Sequence, residues 1–178
     1  IGETLDDNPS QKYYMPVEPL TKRGLSYKSV AYNEGIFVGY RGYDKAGKTP
    51  VYPFGLGLSY AKFAYSSMNL RHTPKDGGFD ITFVVNNMSD KDGYALPQIY
   101  VSEVKPAVVR PAKELKGFAK VYVKAKQSVT VTIHLNKDAF KYYSIQDHDF
   151  VLKGGDYKVI LASTASDEDI LQSAVVSY

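Results

Sequence analysis

From residue 64 onward, hydrophobic and polar positions alternate with period two, the pattern of strands that turn one face to a core and the other to water. Phe79, Ile81, Phe83 and Val85 fall on one side, with Asp80 and Thr82 on the other. Ala119, Val121, Val123 and Ala125 likewise oppose Lys120, Tyr122 and Lys124. The clearest case is Gln127–Leu135, where Val129, Val131, Ile133 and Leu135 oppose Ser128, Thr130, Thr132 and His134. Further strands are predicted at Met68–His72, Gln98–Glu103, Asp149–Leu152, Asp156–Ala162 and Ile170–Val176. The turn signals Asp76-Gly77-Gly78, Asp92-Gly93, Gly154-Gly155 and Ser163–Asp167 separate them.

Short strands with turns at near-regular spacing predict a mainly β fold for residues 64–178, an immunoglobulin-like or fibronectin type III-like antiparallel sandwich. With no cysteine or tryptophan in the chain, its core must rest on aliphatic, Phe and Tyr side chains. Each large one contributes about 1.5–3 kcal/mol when fully buried. Residues 1–63 read differently. They hold eight of the 14 glycines and five of the nine prolines, show no 3.6-residue apolar period, and are expected to be mostly loop. The one regular element expected there is a strand over Ser29–Gly39, built on Val30, Tyr32, Ile36 and Val38. An apolar strand of this kind calls for burial on both faces. The segment therefore reads as a piece of a larger layered domain, and unpaired it would offer an edge to a second chain.

Composition narrows the function. The 178 residues suit one domain or one plus a fragment, and a net charge of +3 makes no polycation. The basic run Lys113, Lys116, Lys120, Lys124 and Lys126 reads as a solvated strand face, with neither nucleic acid nor membrane as partner. Thiolate metal sites, disulfides and cysteine nucleophiles are excluded by the absence of cysteine. The apolar stretches fall far short of the roughly 20 residues of a membrane-spanning helix.

No catalytic constellation emerges. His72, His134 and His148 are isolated in sequence, without metal-ligand spacing. Asp147-His148-Asp149 reads as an exposed turn, and Asn86–Gly93 as an Asx-rich turn lacking the closing Glu of a calcium loop. Asn87-Met88-Ser89 fits a glycosylation sequon. Gly55-Leu56-Gly57-Leu58-Ser59 lacks the lysine of a phosphate loop. Glu34 and Asp44 would lie roughly 30 Å apart on an extended chain, too far for paired glycosidase carboxylates.

Two blocks carry a specific resemblance. The first is Tyr32-Asn33-Glu34-Gly35-Ile36-Phe37-Val38-Gly39-Tyr40-Arg41-Gly42-Tyr43-Asp44, followed by Tyr52-Pro53-Phe54-Gly55-Leu56-Gly57-Leu58-Ser59-Tyr60. The second is Arg110-Pro111-Ala112-Lys113-Glu114-Leu115-Lys116-Gly117-Phe118, with Gln98-Ile99-Tyr100-Val101 before it and Gly155-Asp156-Tyr157 after it. In this order the blocks resemble the C-terminal part of glycoside hydrolase family 3, the β-glucosidase and β-xylosidase family. The departures are Pro97, where an apolar residue is usual, and Met88, where a turn glycine is. The resemblance implies that residues 1–63 end the family's α/β sandwich domain and its linker, and that 64–178 form its fibronectin type III-like domain. It also implies that the nucleophilic Asp and the general acid/base belong to upstream domains of a retaining, periplasmic or secreted parent. Neither Ser89-Asp90 nor Ser166-Asp167 has the following aromatic residue of the family's nucleophile motif. No catalytic residue, metal ligand or cofactor is therefore expected in this chain, which reads as an accessory domain partnered by those upstream domains. Arg41 and Asp44 are expected to pair or to brace a loop. The alternatives are a carbohydrate-binding module that stacks polysaccharide on Tyr100, Tyr122, Tyr142 or Tyr143, and a cell-surface module.

Overall fold

The computed structural model describes residues 34–178, and the chain divides into two compact units between Pro53 and Phe54. In the first unit, no strand continues through residues 34–39. Gly35 and Gly39 adopt φ of +56° and +60°, and the Phe37 amide donates to the Glu34 carbonyl at 3.0 Å, closing a turn. Ile36 and Val38 are exposed instead of buried on two faces. The remainder of the expected strand, residues 29–33, lies outside the described residues, as does any pairing of chains through it. A helix follows, α1 (Tyr40–Ala46), where loop was expected. Gly47 ends it in the left-handed conformation, and Lys45 sits in its last turn, where a cation complements the helix dipole. The same Lys45 places its ammonium 3.7 Å from the centre of the Phe37 ring.

The second unit is a sandwich. One sheet has the order β1 (Phe63–Thr73), β2 (Gly78–Asn87), β7 (Ser128–Leu135). The other runs β11 (Ile170–Ser177), β10 (Asp156–Ala162), β4 (Gln98–Glu103), β5 (Glu114–Phe118). Two ribbons complete it: β3 (Gly93–Ala95) with β6 (Val121–Val123), and β8 (Tyr142–Ser144) with β9 (Asp149–Val151). Every pairing is antiparallel. The alternation seen in the sequence sets the register, with Phe79, Ile81, Phe83 and Val85 opposite Leu135, Ile133, Val131 and Val129. These side chains meet Ile99, Val101, Tyr157, Val159 and Leu161 of the other sheet in one core.

Three features fix the ends of the sandwich. Tyr157, fully buried at the start of β10, donates its hydroxyl to the Lys153 carbonyl at 2.7 Å. This bond to backbone just upstream is the tyrosine corner of immunoglobulin-like folds. A 3-10 turn over Lys137–Phe140, capped by the Asn136 side chain, drives Phe140 into a cluster with Phe79, Tyr157 and Tyr178. Gly78 is obligatory where β2 begins, because a Cβ there would sit 2.1 Å from the Leu135 carbonyl oxygen.

Candidate functional site

The basic run is not one solvated face. Lys120, Lys124 and Lys126 are exposed, but Lys113 is buried and reaches Asp167 at 2.8 Å. Arg110 is buried too, with Nη1 2.8 Å from Glu103 and Nη2 2.7 Å from Glu114. It also donates to the carbonyls of Phe140 and Lys141, and lies 5.5 Å from the centre of the Tyr142 ring. Burial pulls the guanidinium pKa down, yet the Glu114 and Glu103 carboxylates more than offset this and raise it above its ordinary value. The loop between β4 and β5 is thus fastened by two buried cations while Val104, Val108 and Val109 project into solvent.

The tyrosines separate into two groups. Tyr100, expected at the surface, is fully buried, with its hydroxyl donating to Gln98 Oε1. Tyr142 is half-buried beneath Arg110; Tyr122 and Tyr143 are exposed. Tyr122 pairs across the β3–β6 ribbon with Tyr94, a residue that no sequence motif singles out, at 5.2 Å between ring centres. Lys120 lies over Tyr94, and the Tyr122 hydroxyl donates to Asp92, which raises the phenol pKa and lowers that of the carboxyl.

Beside this ribbon the glycine-rich segment crosses the second sheet. The Phe54 carbonyl accepts from the Ala165 amide at 2.8 Å, and Gly55, at φ +93°, lies directly over buried Gln98. Gln98 in turn donates to the Ser163 carbonyl. The Gly-rich block and the Gln98 strand, distant in sequence, thereby become one site. A groove of about 610 Å³ runs between Gly55–Ser59 and Phe63, Tyr65, Tyr94, Leu96, Thr164 and Asp169. Burial pushes the Tyr65 hydroxyl on its wall up to about 12. Leu58 and Tyr60, at 101% and 96% exposure, stand free beside it, with Leu56 half-exposed. A Cβ at Gly55 would meet Gln98 Nε2 at 1.9 Å in a backbone conformation unfavourable to L-residues. We therefore expect Gly55→Ala to detach Phe54–Leu58, seen as faster amide exchange at Ala165, while the sheet amides stay protected. Unchanged exchange at Ala165 would contradict this.

The remaining polar candidates are engaged structurally. His72 packs edge-on against Phe79, and His148 occupies a turn at φ +52°. Asp147 accepts from the Ser144 hydroxyl, and Asp90 pairs with Lys126. Asn87, 2% exposed, uses its amide to donate to the Lys91 and Val123 carbonyls, while its Oδ1 accepts from Ser89 in an Asx turn. Among the described residues, no group of three or more His, Asp or Glu is arranged to hold a metal ion. None of their helices is long and apolar enough to cross a membrane.

The two-sheet order and tyrosine corner define a fibronectin type III-like sandwich, and residues 95–165 match the family model of the fibronectin type III-like domain. The chain is 39% identical over 150 residues to the thermostable β-glucosidase B of Acetivibrio thermocellus, covering 83% of this chain and 20% of that protein. It is 40% identical over 148 residues to an exo-α-(1→6)-L-arabinopyranosidase of Bifidobacterium breve, covering 83% and 19%. Among solved structures it superposes on the glycoside hydrolase family 3 β-glucosidase of Bifidobacterium adolescentis with a TM-score of 0.85 and 39% identity, over 99% of this chain and 24% of that one. The β-glucosidase of Kluyveromyces marxianus in complex with glucose gives 0.85 at 34% identity, over 99% and 20%. The chain thus belongs to glycoside hydrolase family 3 and carries the fibronectin type III-like domain of its β-glucosidases. It spans about a fifth of the length of the curated relatives it matches.

Proposed function

We propose that this chain is the non-catalytic accessory part of a β-glucosidase-like family 3 enzyme whose catalytic domains lie upstream and hydrolyse terminal β-linked glucose or related sugars with retention. In this reading residues 1–63 close the α/β sandwich domain and supply the linker, and 64–178 are the domain that stabilises or shapes the catalytic body. The observation that carries it is the groove at Gly55–Ser59: fully exposed Leu58 and Tyr60 stand beside backbone that packs over Gln98 and, at Phe54, accepts from the Ala165 amide. Exposed apolar surface on a rigid support marks an interaction face. Catalysis by covalent glycosyl transfer needs two carboxyl groups across one sugar, and the aspartates of both Ser-Asp pairs are instead in ion pairs with lysines.

The test separates folding of this chain from association with its parent. Leu58→Asp should leave the melting temperature of the 178-residue chain unchanged, because the side chain is fully exposed there. In the full-length enzyme the same substitution should lower the melting temperature, and deletion of 64–178 should lower it further while KM for an aryl glucoside changes little. A full-length enzyme indifferent to both changes would sink the reading. A second reading rests on the Tyr94–Tyr122 pair with Lys120 and Asp92 at its rim, an arrangement able to stack on a sugar ring and hydrogen-bond its hydroxyls. Retention of the chain on insoluble glucan or xylan, lost in Tyr122→Ala, would favour it; elution in the void would remove it.

A further inference from the structure

We propose that His134 is a proton-operated latch that fastens the turn between β1 and β2 to β7, closed when both ring nitrogens carry protons and opened by loss of one. His134 Nδ1 lies 2.8 Å from Asp80 Oδ1 on β2, and Nε2 lies 2.6 Å from Asp76 Oδ2 in the turn. A neutral imidazole has one N–H and one lone pair. At either position that lone pair would face carboxylate oxygen at hydrogen-bond distance, so only the imidazolium satisfies both contacts.

The carboxylates are fixed independently of the ring. Asp76 accepts from the Thr73 hydroxyl at 2.8 Å and the Gly78 amide at 3.1 Å, and Asp80 accepts from Arg71 at 2.6 Å. The hydrogen bonds to Asp80 and Asp76 raise the His134 pKa. Those from Thr73 and His134 hold Asp76 down at about 2, and those from His134 and Arg71 lower Asp80. Other charges nearby are matched elsewhere. Lys116 and Asp138 share a shallow cavity with His134, but Lys116 reaches Glu114 at 3.6 Å and Asp138 reaches Lys141 at 2.7 Å. Lys137 runs past Gly77 without an acid to bind among the contacts described. Among the described residues, Arg71 is the one cation sharing a carboxylate with the ring. Across the turn, Tyr178 donates its hydroxyl to the Gly77 carbonyl, and burial keeps that phenol at about 12, outside the working range.

The sign follows from linkage. A raised folded-state pKa means that the latch contributes fully below the ordinary histidine value of about 6.5 and is lost as pH climbs through the folded value. The depressed Asp76 pKa adds an acid limit: its contribution is present above about 4 and is lost as pH falls toward 2. The closed state is therefore favoured in mildly acidic solution. The site is exposed, so the effect is a local release of the turn and not global unfolding.

The test is a ring-resonance NMR titration of the full 178-residue chain, together with native-state exchange at the Gly77 and Gly78 amides. His134 should titrate above the ordinary histidine value of about 6.5. The turn amides should lose protection severalfold in step with it, beyond the intrinsic rise with pH. In Asp76→Asn the His134 midpoint should fall, and in His134→Gln the step at Gly77 should vanish. A His134 midpoint at or below the ordinary histidine range, or turn protection that ignores its titration, would overturn the proposal. Both readings come from the unsubstituted protein, so a variant that fails to fold does not shield it.

Discussion

Replacing Arg110 by alanine is expected to destabilise the chain by about 3–5 kcal/mol, because it strands the buried Glu103 carboxylate and takes from Glu114 a cation closer than Lys116. Arg110 and Glu103 have side-chain exposures of 6% and 5%, and Glu114 only 15%, so water cannot take over the lost contacts. At a slope of about 1–3 kcal/mol per molar urea, the unfolding midpoint should fall by roughly 2 M. Arg110→Lys should recover only part of the loss, since one ammonium cannot span the divergent carboxylates and two carbonyls that the guanidinium serves. The diagnostic variant is the triple change Arg110→Met with Glu103→Leu and Glu114→Leu. If the cost of Arg110→Ala arises from orphaned charge, the triple variant should be near wild-type stability or above it. A triple variant as unstable as Arg110→Ala would show that the charges hold the loop and that packing alone cannot.

The second large effect is expected at Phe140. Its ring is fully buried, with neighbouring ring centres at 5.9 Å (Phe79), 5.5 Å (Tyr157) and 5.0 Å (Tyr178). Phe140→Ala should cost about 3–5 kcal/mol through lost transfer energy and the cavity left behind. For a chain of this size that lowers the melting temperature by roughly 10–15 °C. Phe118→Ala, at a ring 68% exposed, should stay within about 0.5 kcal/mol of wild type. Equal effects at the two sites would refute the assignment of Phe140 as the keystone. Arg110 donates to the Phe140 carbonyl, so the losses at 110 and 140 should not add, and a double-mutant cycle will report the coupling.

Where strands alternate, the sequence was sufficient. Val129, Val131, Ile133 and Leu135 leave no choice of face, because a one-residue slip would expose all four. Legibility failed where a face is buried by something that the local pattern does not contain. Gln98-Ile99-Tyr100-Val101 shows no alternation because one face meets the core while Gln98 is covered by Gly55. That cover comes from far upstream in the chain, and the hydroxyl of buried Tyr100 is met by Gln98 itself, a pairing that no surface pattern announces. Lys113 departs from the solvated face expected of it for a similar reason, since its partner Asp167 is brought to it only by tertiary folding. The helix Tyr40–Ala46 is two turns long, too short to display a period, and glycines at both ends disguise it as loop. In the two ribbons, β6 falls within the alternating run 119–125 and β9 within the strand expected at Asp149–Leu152, whereas their partners β3 and β8, of three residues each, are below the length at which alternation can be recognised. Of the site, the Gly55 and Gln98 blocks were visible as motifs; their meeting, and the Tyr94–Tyr122 pair, were not.

The side-chain amide of Asn87 has a consequence for production of this protein in a eukaryotic secretory pathway. Both of its hydrogens are committed to carbonyls, at 2.7 Å to Lys91 and 3.0 Å to Val123, yet a glycan on that nitrogen would take the place of one. The acceptor Asn87-Met88-Ser89 is therefore competent only in the nascent or unfolded chain. Sugar attachment and closure of the β3–β6 ribbon around Asn87 become a race, and whichever is faster excludes the other. Glycan occupancy at Asn87 would then act as a clock on folding, low when the ribbon closes promptly and high when closure is delayed.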